Sequence, residues 1–504
     1  MLEQMIKEFR AAIRVGVPIV AVTTSDPGAV LDALAGSCGD DRAVLGFDII
    51  HGLRAYNGTS RSESQRGLDV AARAKVGIKA PADQNPIAVL AQIEVDLQPR
   101  SVVFVMNGHR IISDKGTPAI QAIWNLRDPF KTTRRTLVLL GTSFSLSAEL
   151  EGDVVVLDDP LPTPEQVSHI ISRQYENAGV AAPPEDVLAR ATSAVSGLPS
   201  FTVEQIVAMS MTRAGVALDA LWHRKQQAIE NTPGLSVWEG GGDFDSLGGL
   251  ANIKAYMRLL RAGRNKFGGV VWIDEIEKAA AGMKHDTSGV SQDQHQALLT
   301  WMEDHDAAGV LLIGHPGSGK SAIAKATGAE MGTPTIRLDL GGLKNGIVGS
   351  SEGRIRAALK TIESVCLGRP LFIATCNEIE SLSPELRSRF KTGTFFFDLP
   401  TAEERARIWS IYRASFNIPA TDETPDDENW TGREIRACCQ TAADTGLSLV
   451  AASSYIVPMA TASRQKVEAL RELAEGKFIS ASTSGPYSRA AAQRTSIERA
   501  IDVN

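Results

Sequence analysis

Short apolar runs alternating with stretches of helical spacing set the rhythm of the first third of the chain. Residues 17–25 (VPIVAVTTS), 43–50 (AVLGFDII), 100–112 (RSVVFVMNGHRII) and 135–143 (RTLVLLGTS) read as buried strands, and DVVVLDDP adds another. MLEQMIKEFRAAIRV and AVLDALAG have helical spacing, while IAVLAQIEVDL fits either state. This alternation predicts a mainly parallel α/β sheet over residues 1–165. Residues 166–230 read as helical, and the breaker-rich NTPGLSVWEGGGDFDSLGG (231–249) as a linker. The rhythm then returns over 250–400. LANIKAYMRLLRAGRNKF predicts a helix, GGVVWI a strand, and QDQHQALLTWMEDHD a helix with Leu298, Leu299 and Met302 as its buried stripe. VLLI, TPTIRLD, RPLFIATCNEI and TFFFDLP predict further strands. Helical segments over 401–480 predict a small lid, and the small, polar residues of 481–504 a loosely ordered tail.

Composition narrows the class. A chain of 504 residues is too long for one core, so two or three domains are expected. With 43% hydrophobic and 22% charged residues it reads as an ordinary globular protein. A net charge of −7 argues against a broad nucleic-acid footprint. The five cysteines and the histidines show no metal spacing, and no apolar run has the length of a membrane span. A cytoplasmic protein is expected.

The chemistry lies within 268–321. Gly314, four residues, then Gly319-Lys320-Ser321 form a P-loop between a predicted strand and a predicted helix, the context the motif requires. The loop, with His315, Pro316, Gly317, Ser318, Gly319, Lys320, Ser321 and Ala322, is expected to surround the phosphates of ATP. Backbone amides at a helix N-terminus suit a β-phosphate, and Lys320 the β/γ oxygens. Upstream, an apolar strand ends in Asp274-Glu275. Asp274 and the Ser321 hydroxyl are expected to hold Mg²⁺, and Glu275 to deprotonate the attacking water. Asn377, at the end of another apolar strand, suits holding that water. Arg387 and Arg389 suit a finger inserted into a neighbouring subunit's site, and Arg433, opening a lid helix, an approach to the γ-phosphate. The first domain has the rhythm without the residues: TTSDPG replaces a phosphate loop and Asn107-Gly108-His109 replaces the acids. It reads as an ATPase-like fold that does not hydrolyse ATP.

Phrases such as WIDEIEKA, IRLDLGGLKNGIVGSSEGRIR, FFFDLPTAEERARI and WTGREIRACC resemble the AAA+ family, and within it the Ycf46-type proteins of plastids and cyanobacteria. The likeness spans most of 1–480. It implies a P-loop NTPase core with sheet order 5-1-4-3-2 and a helical lid, preceded by a degenerate AAA+-like domain and a helical subdomain. It makes Lys320 the Walker A lysine, Asp274-Glu275 Walker B, Asn377 sensor 1, Arg389 the favoured arginine finger and Arg433 a sensor-2 arginine. It puts Gly248-Gly249 beside the adenine. The turn at 346–349 matches a pore loop without its aromatic residue. The departure is order, because Walker B precedes Walker A. A parallel sheet tolerates such permutation, since each crossover returns the chain to the same edge. Two readings of purpose stay open. One is a homo-oligomeric remodeller of a protein partner, as a hexameric ring or helical stack. The other is a nucleotide-switched scaffold. A nucleic-acid-handling role comes third, for want of a basic-aromatic platform.

Overall fold

The computed structural model describes residues 2–39, 42–56, 86–112, 118–144, 146–240, 242–264, 266–278, 290–344 and 351–489. The chain divides into two compact units, Met1–Leu221 and Trp222–Asn504. Among the described residues no helix is long and apolar enough to cross a membrane.

The first unit is built on β1 (Ile19–Thr23), β2 (Val44–Asp48), β3 (Gly52–Ala55), β4 (Val102–Val105), β5 (Thr136–Gly141) and β6 (Val154–Asp158). They lie in the order β3-β2-β4-β5-β1-β6, all neighbours parallel except β2 and β3. Strand residues alternate between two cores. Ile19 and Ala21 face Ile93, Ile123 and Phe130 on one side, and Val20 and Val22 face Phe9 and Leu34 on the other.

Two segments expected as single strands break. β2 stops at Asp48, whose Oδ1 accepts the backbone N–H groups of Ile50 (2.9 Å) and His51 (2.8 Å) and turns the chain into β3. β4 stops at Val105, and Asn107, at φ 55°, redirects the chain into the short helix Gly108–Ile111. The ambiguous apolar segment is a helix, Pro86–Asp96. Helices Pro164–Asn177, Glu185–Val195 and Ser200–Met209 follow, with the two-residue hairpin strands β7 (Met211–Thr212) and β8 (Gly215–Val216).

The second sheet uses β9 (Leu235–Val237), β10 (Gly269–Ile273), β11 (Ala308–Gly314), β12 (Thr335–Leu338), β13 (Pro370–Cys376), β14 (Gly393–Phe397) and β15 (Ile479–Ser480). Their order is β15-β14-β11-β13-β10-β12-β9, with only β9 antiparallel to its neighbour. β9 lies inside the stretch that the sequence suggested as linker. β10 and β13 are buried along their whole length, as strands covered on both faces must be.

Residues 481–489, the described part of the expected tail, depart from expectation. Residues 479–489 are tied down rather than loose. β15 joins the edge of β14, and the Ala481 N–H donates to Phe396 O at 2.9 Å. Tyr487 packs edge-on against Phe396 (4.5 Å) and its hydroxyl donates to Asp398 Oδ2 at 2.7 Å. A two-residue strand in a small, polar segment has no periodicity to betray it; its partner strand orders it.

Candidate active site

β10, β11 and β13 deliver their carboxyl ends to one place because all three are parallel and adjacent around β13. The chain leaves β11 into the phosphate loop and re-enters helix Lys320–Met331. Lys320 is 5% exposed, and its Nζ donates to the carbonyls of Gly314 and His315, each at 2.7 Å. Burial pushes its pKa down to about 8, with Glu277 the largest opposing charge. His315 is buried edge-on to Phe396, and burial lowers its pKa to about 4, so it is neutral at pH 7. Ser318 is buried; Pro316 is exposed, and Ala322 is half-buried in the first turn of the helix.

Asp274 is the hub. Its Oδ1 accepts hydrogen bonds from the Ser321 hydroxyl (2.9 Å) and the Thr375 hydroxyl (2.8 Å). Three chain segments far apart in sequence thus meet at one carboxylate oxygen. Glu275 follows at φ 49°, a left-handed conformation costing roughly 1–3 kcal/mol for a residue with a side chain. Its backbone N–H donates to Thr375 Oγ1 at 2.9 Å, which holds the turn. The Glu275 carboxylate pairs with Lys278 and accepts from Asn377 Nδ2 at 3.3 Å. The same Nδ2 donates to Glu277 Oε1 at 2.9 Å. Thr375 and Glu277 were not singled out from the sequence. The only signal was position: a Thr at a strand end two residues before Asn377, and a third acid after Asp274-Glu275.

These residues suit Mg²⁺. A hydroxyl and a carboxylate oxygen 2.9 Å apart are hard oxygen donors, and Mg²⁺ characteristically takes one or two carboxylates and completes its shell with phosphate and water. Among the described residues there is no cluster of three or more His, Cys, Asp or Glu placed to hold a metal.

Residues 310–368 match the family model for ATPases associated with various cellular activities (AAA), and 5–158 match the N-terminal domain of SpoVK-like AAA ATPases. The ycf46 protein of Guillardia theta, described as an uncharacterized AAA domain-containing protein, is 22% identical over 538 residues, covering 94% of this chain and 96% of its own. Those of Trieres chinensis (25%; 70% of this chain, 75% of theirs) and Gracilaria tenuistipitata var. liui (27%; 66% and 71%) carry the same description. The chain carries an AAA+ ATPase domain related to the Ycf46-like proteins.

Helix Gly432–Thr445 meets the loop between β11 and helix Lys320–Met331 directly. A Cβ on Gly317 (φ 86°) would lie 2.8 Å from Thr431 Oγ1 and 3.0 Å from Arg433 Cβ, so the start of helix Gly432–Thr445 sits on the loop with Arg433 beside it. Gly248 and Gly249 press on helix Ala402–Ser415, where a Cβ would lie 2.5 Å from Ile408 and 2.6 Å from Glu404. Leu250 N–H donates to Glu404 Oε1 at 2.9 Å, and the Ser482 hydroxyl to the same oxygen at 2.7 Å. The two finger candidates differ. Arg389 is tied to Glu303, on the helix after the acidic strand, at 2.6 Å, whereas Arg387 is exposed. The pore-loop turn at 346–349 lies outside the described residues.

Proposed function

We propose that this protein hydrolyses ATP with Mg²⁺ at a permuted AAA+ site, assembles with copies of itself as a hexameric ring or helical stack, and couples turnover to remodelling a protein partner. The observation that carries the catalytic part is Asp274 Oδ1 receiving both the P-loop Ser321 hydroxyl and the Thr375 hydroxyl. Permutation is supported by the sheet: β14-β11-β13-β10-β12 is the spatial order 5-1-4-3-2, read with the acidic strand entering before the phosphate loop. The AAA match, 310–368, stops just before β13 and leaves the acidic strand outside and upstream.

The chain's residues divide the work. Lys320 exchanges the Gly314 and His315 carbonyls for phosphate oxygens, and the loop amides cradle the β-phosphate. Mg²⁺ held by Ser321 and Asp274 would supply neutralisation of phosphate charge. Glu275 leaves Lys278 and accepts a proton from the attacking water, which Asn377 orients. Arg389 or Arg387 of a neighbouring copy meets the charge that develops on transfer, and Arg433 approaches from the lid. The first unit, matched to an N-terminal domain of AAA ATPases, serves as a contact module without turnover of its own.

The test is electron microscopy with a slowly hydrolysed ATP analogue, paired with ATPase rates with and without unfolded or polymeric protein chains. A closed or helical assembly whose turnover rises with a protein chain supports the reading. A fully active monomer contradicts it, and an assembly whose turnover no protein chain alters supports a nucleotide-switched scaffold instead.

A further inference from the structure

Glu277 is an acid given no step in the chemistry above, although its charge is the largest one supporting Lys320, and its surroundings are unusual for a carboxylate. It lies just after the Asp274-Glu275 turn, 6% exposed. Oε1 accepts two hydrogen bonds from one residue: the Asn377 backbone N–H at 3.1 Å and Asn377 Nδ2 at 2.9 Å. Oε2 is buried with no N–H or O–H donor on it among the described residues, and only the weakly donating Cys376 thiol is recorded beside the carboxylate. A buried, half-satisfied carboxylate is a poor way to stabilise a fold, because burial penalises its charge and leaves an acceptor unused. Glutamine would fill the same volume without the charge. The arrangement therefore needs an explanation outside packing.

The explanation lies in what a carboxylate does to an amide. An ionised Glu is an acceptor only, so it admits just the NH₂ end of Asn377. Turning the amide over would set Oδ1 against Glu277 Oε1, two acceptors in contact. With the flip forbidden, the NH₂ group has one proton for Glu277 and a second for Glu275 Oε1, 3.3 Å away. The amide is thus held in the one orientation that lets Asn377 address the general base and the water beside it. The backbone bond to the same oxygen fixes the strand end that carries the amide.

We propose that Glu277 is a positioning residue that locks the Asn377 amide with its NH₂ group toward Glu275, so that efficient ATP turnover requires a carboxylate at 277. The inference rests on the ATPase reading above. It concerns orientation of Asn377 and assigns Glu277 no contact with substrate.

A double-mutant cycle on the full chain, with Glu277→Gln, Asn377→Ala and the double variant, tests it through kcat, KM and melting temperature. The charge-assisted bond becomes a neutral one in Glu277→Gln, so kcat falls roughly tenfold. KM for ATP changes less than kcat, since Glu277 acts on Lys320 through charge alone while its hydrogen bonds go to Asn377. The melting temperature holds or rises, because a buried charge is gone. In kcat at saturating ATP the double variant is no slower than Asn377→Ala alone, since the effect of Glu277 on the chemical step runs through that amide. Multiplicative losses in the double variant, wild-type kcat in Glu277→Gln, or a kcat loss that follows a lowered melting temperature would each overturn the inference while leaving the ATPase reading intact. A wild-type protein that binds ATP without hydrolysing it would overturn both.

Discussion

The first unit lays five parallel strands side by side and the second six, the sixth being the two-residue β15 outside β14, and each has an antiparallel strand beyond one edge, β3 outside β2 in the first and β9 outside β12 in the second. By place in the sheet, β1, β2, β4, β5 and β6 answer to β11, β12, β10, β13 and β14. Counted in chain order, the first sheet reads second, third, fourth, first, fifth; the same places in the other read third, first, fourth, second, fifth. The layout is shared and the threading is not.

The backbone likeness reaches further. Two residues past β4 stands Asn107 at φ 55°, and two residues past β10 stands Glu275 at φ 49°. The first unit keeps the same left-handed turn, with Met106-Asn107 where the second has Asp274-Glu275. After β1, Thr24 Oγ1 donates to Asp159 at 2.7 Å and Asp26 caps helix Pro27–Ser37 through the Ala29 N–H at 3.0 Å, where the second unit has a phosphate loop. Apolar runs fix the sheet, whatever order they are threaded in. A handful of edge residues decides whether the sheet does chemistry.

The sharpest contrast should come from Lys320→Ala, which is expected to take ATP binding and turnover to background, while Thr24→Ala at the matching edge of the first unit leaves both unchanged. Nucleotide binding and phosphate release measure both variants; lost turnover in Thr24→Ala would break the division of labour. Next in size, Arg389→Ala should lower kcat by about 10³-fold if it is the finger, with recovery in mixed assemblies containing subunits with intact Arg389 but Glu275→Gln. Without recovery, the tie of Arg389 to Glu303 becomes its role and the exposed Arg387 the candidate. A smaller effect is set by pH. Lys320 must be protonated to meet phosphate, and its pKa is lowered to about 8, so the proton leaves as pH rises through that value. Below it, kcat/KM for ATP should be flat in Lys320; above it, kcat/KM should fall about tenfold per pH unit. The loss in kcat should come at higher pH, because bound polyphosphate raises the pKa. Smallest, Thr24→Ala should cost the first unit about 1.5 kcal/mol in denaturant melts, the loss of a partly buried hydrogen bond to a carboxylate.

Much of this was legible in the sequence because it is local. The phosphate loop between VLLI and a helix, the acids ending VVWI, and Asn377 ending LFIATC are strings whose neighbours announce them. What stayed hidden is long-range or conformational. Thr375 gains its role from Asp274 and Glu275, about 100 residues away in sequence. The turn at Glu275 depends on that hydroxyl, and no propensity for glutamate predicts it. Asp48 ended a strand through its own side chain, and β15 exists only because β14 offers an edge.

The central claim is that acids supplied before the phosphate loop complete its site. It is tested most directly by measuring, on one preparation of Glu275→Gln, both the ATP bound per subunit and the rate of phosphate release. ATP bound at the wild-type stoichiometry with kcat lowered at least about 10²-fold is the predicted result. Phosphate release at the wild-type rate would contradict it.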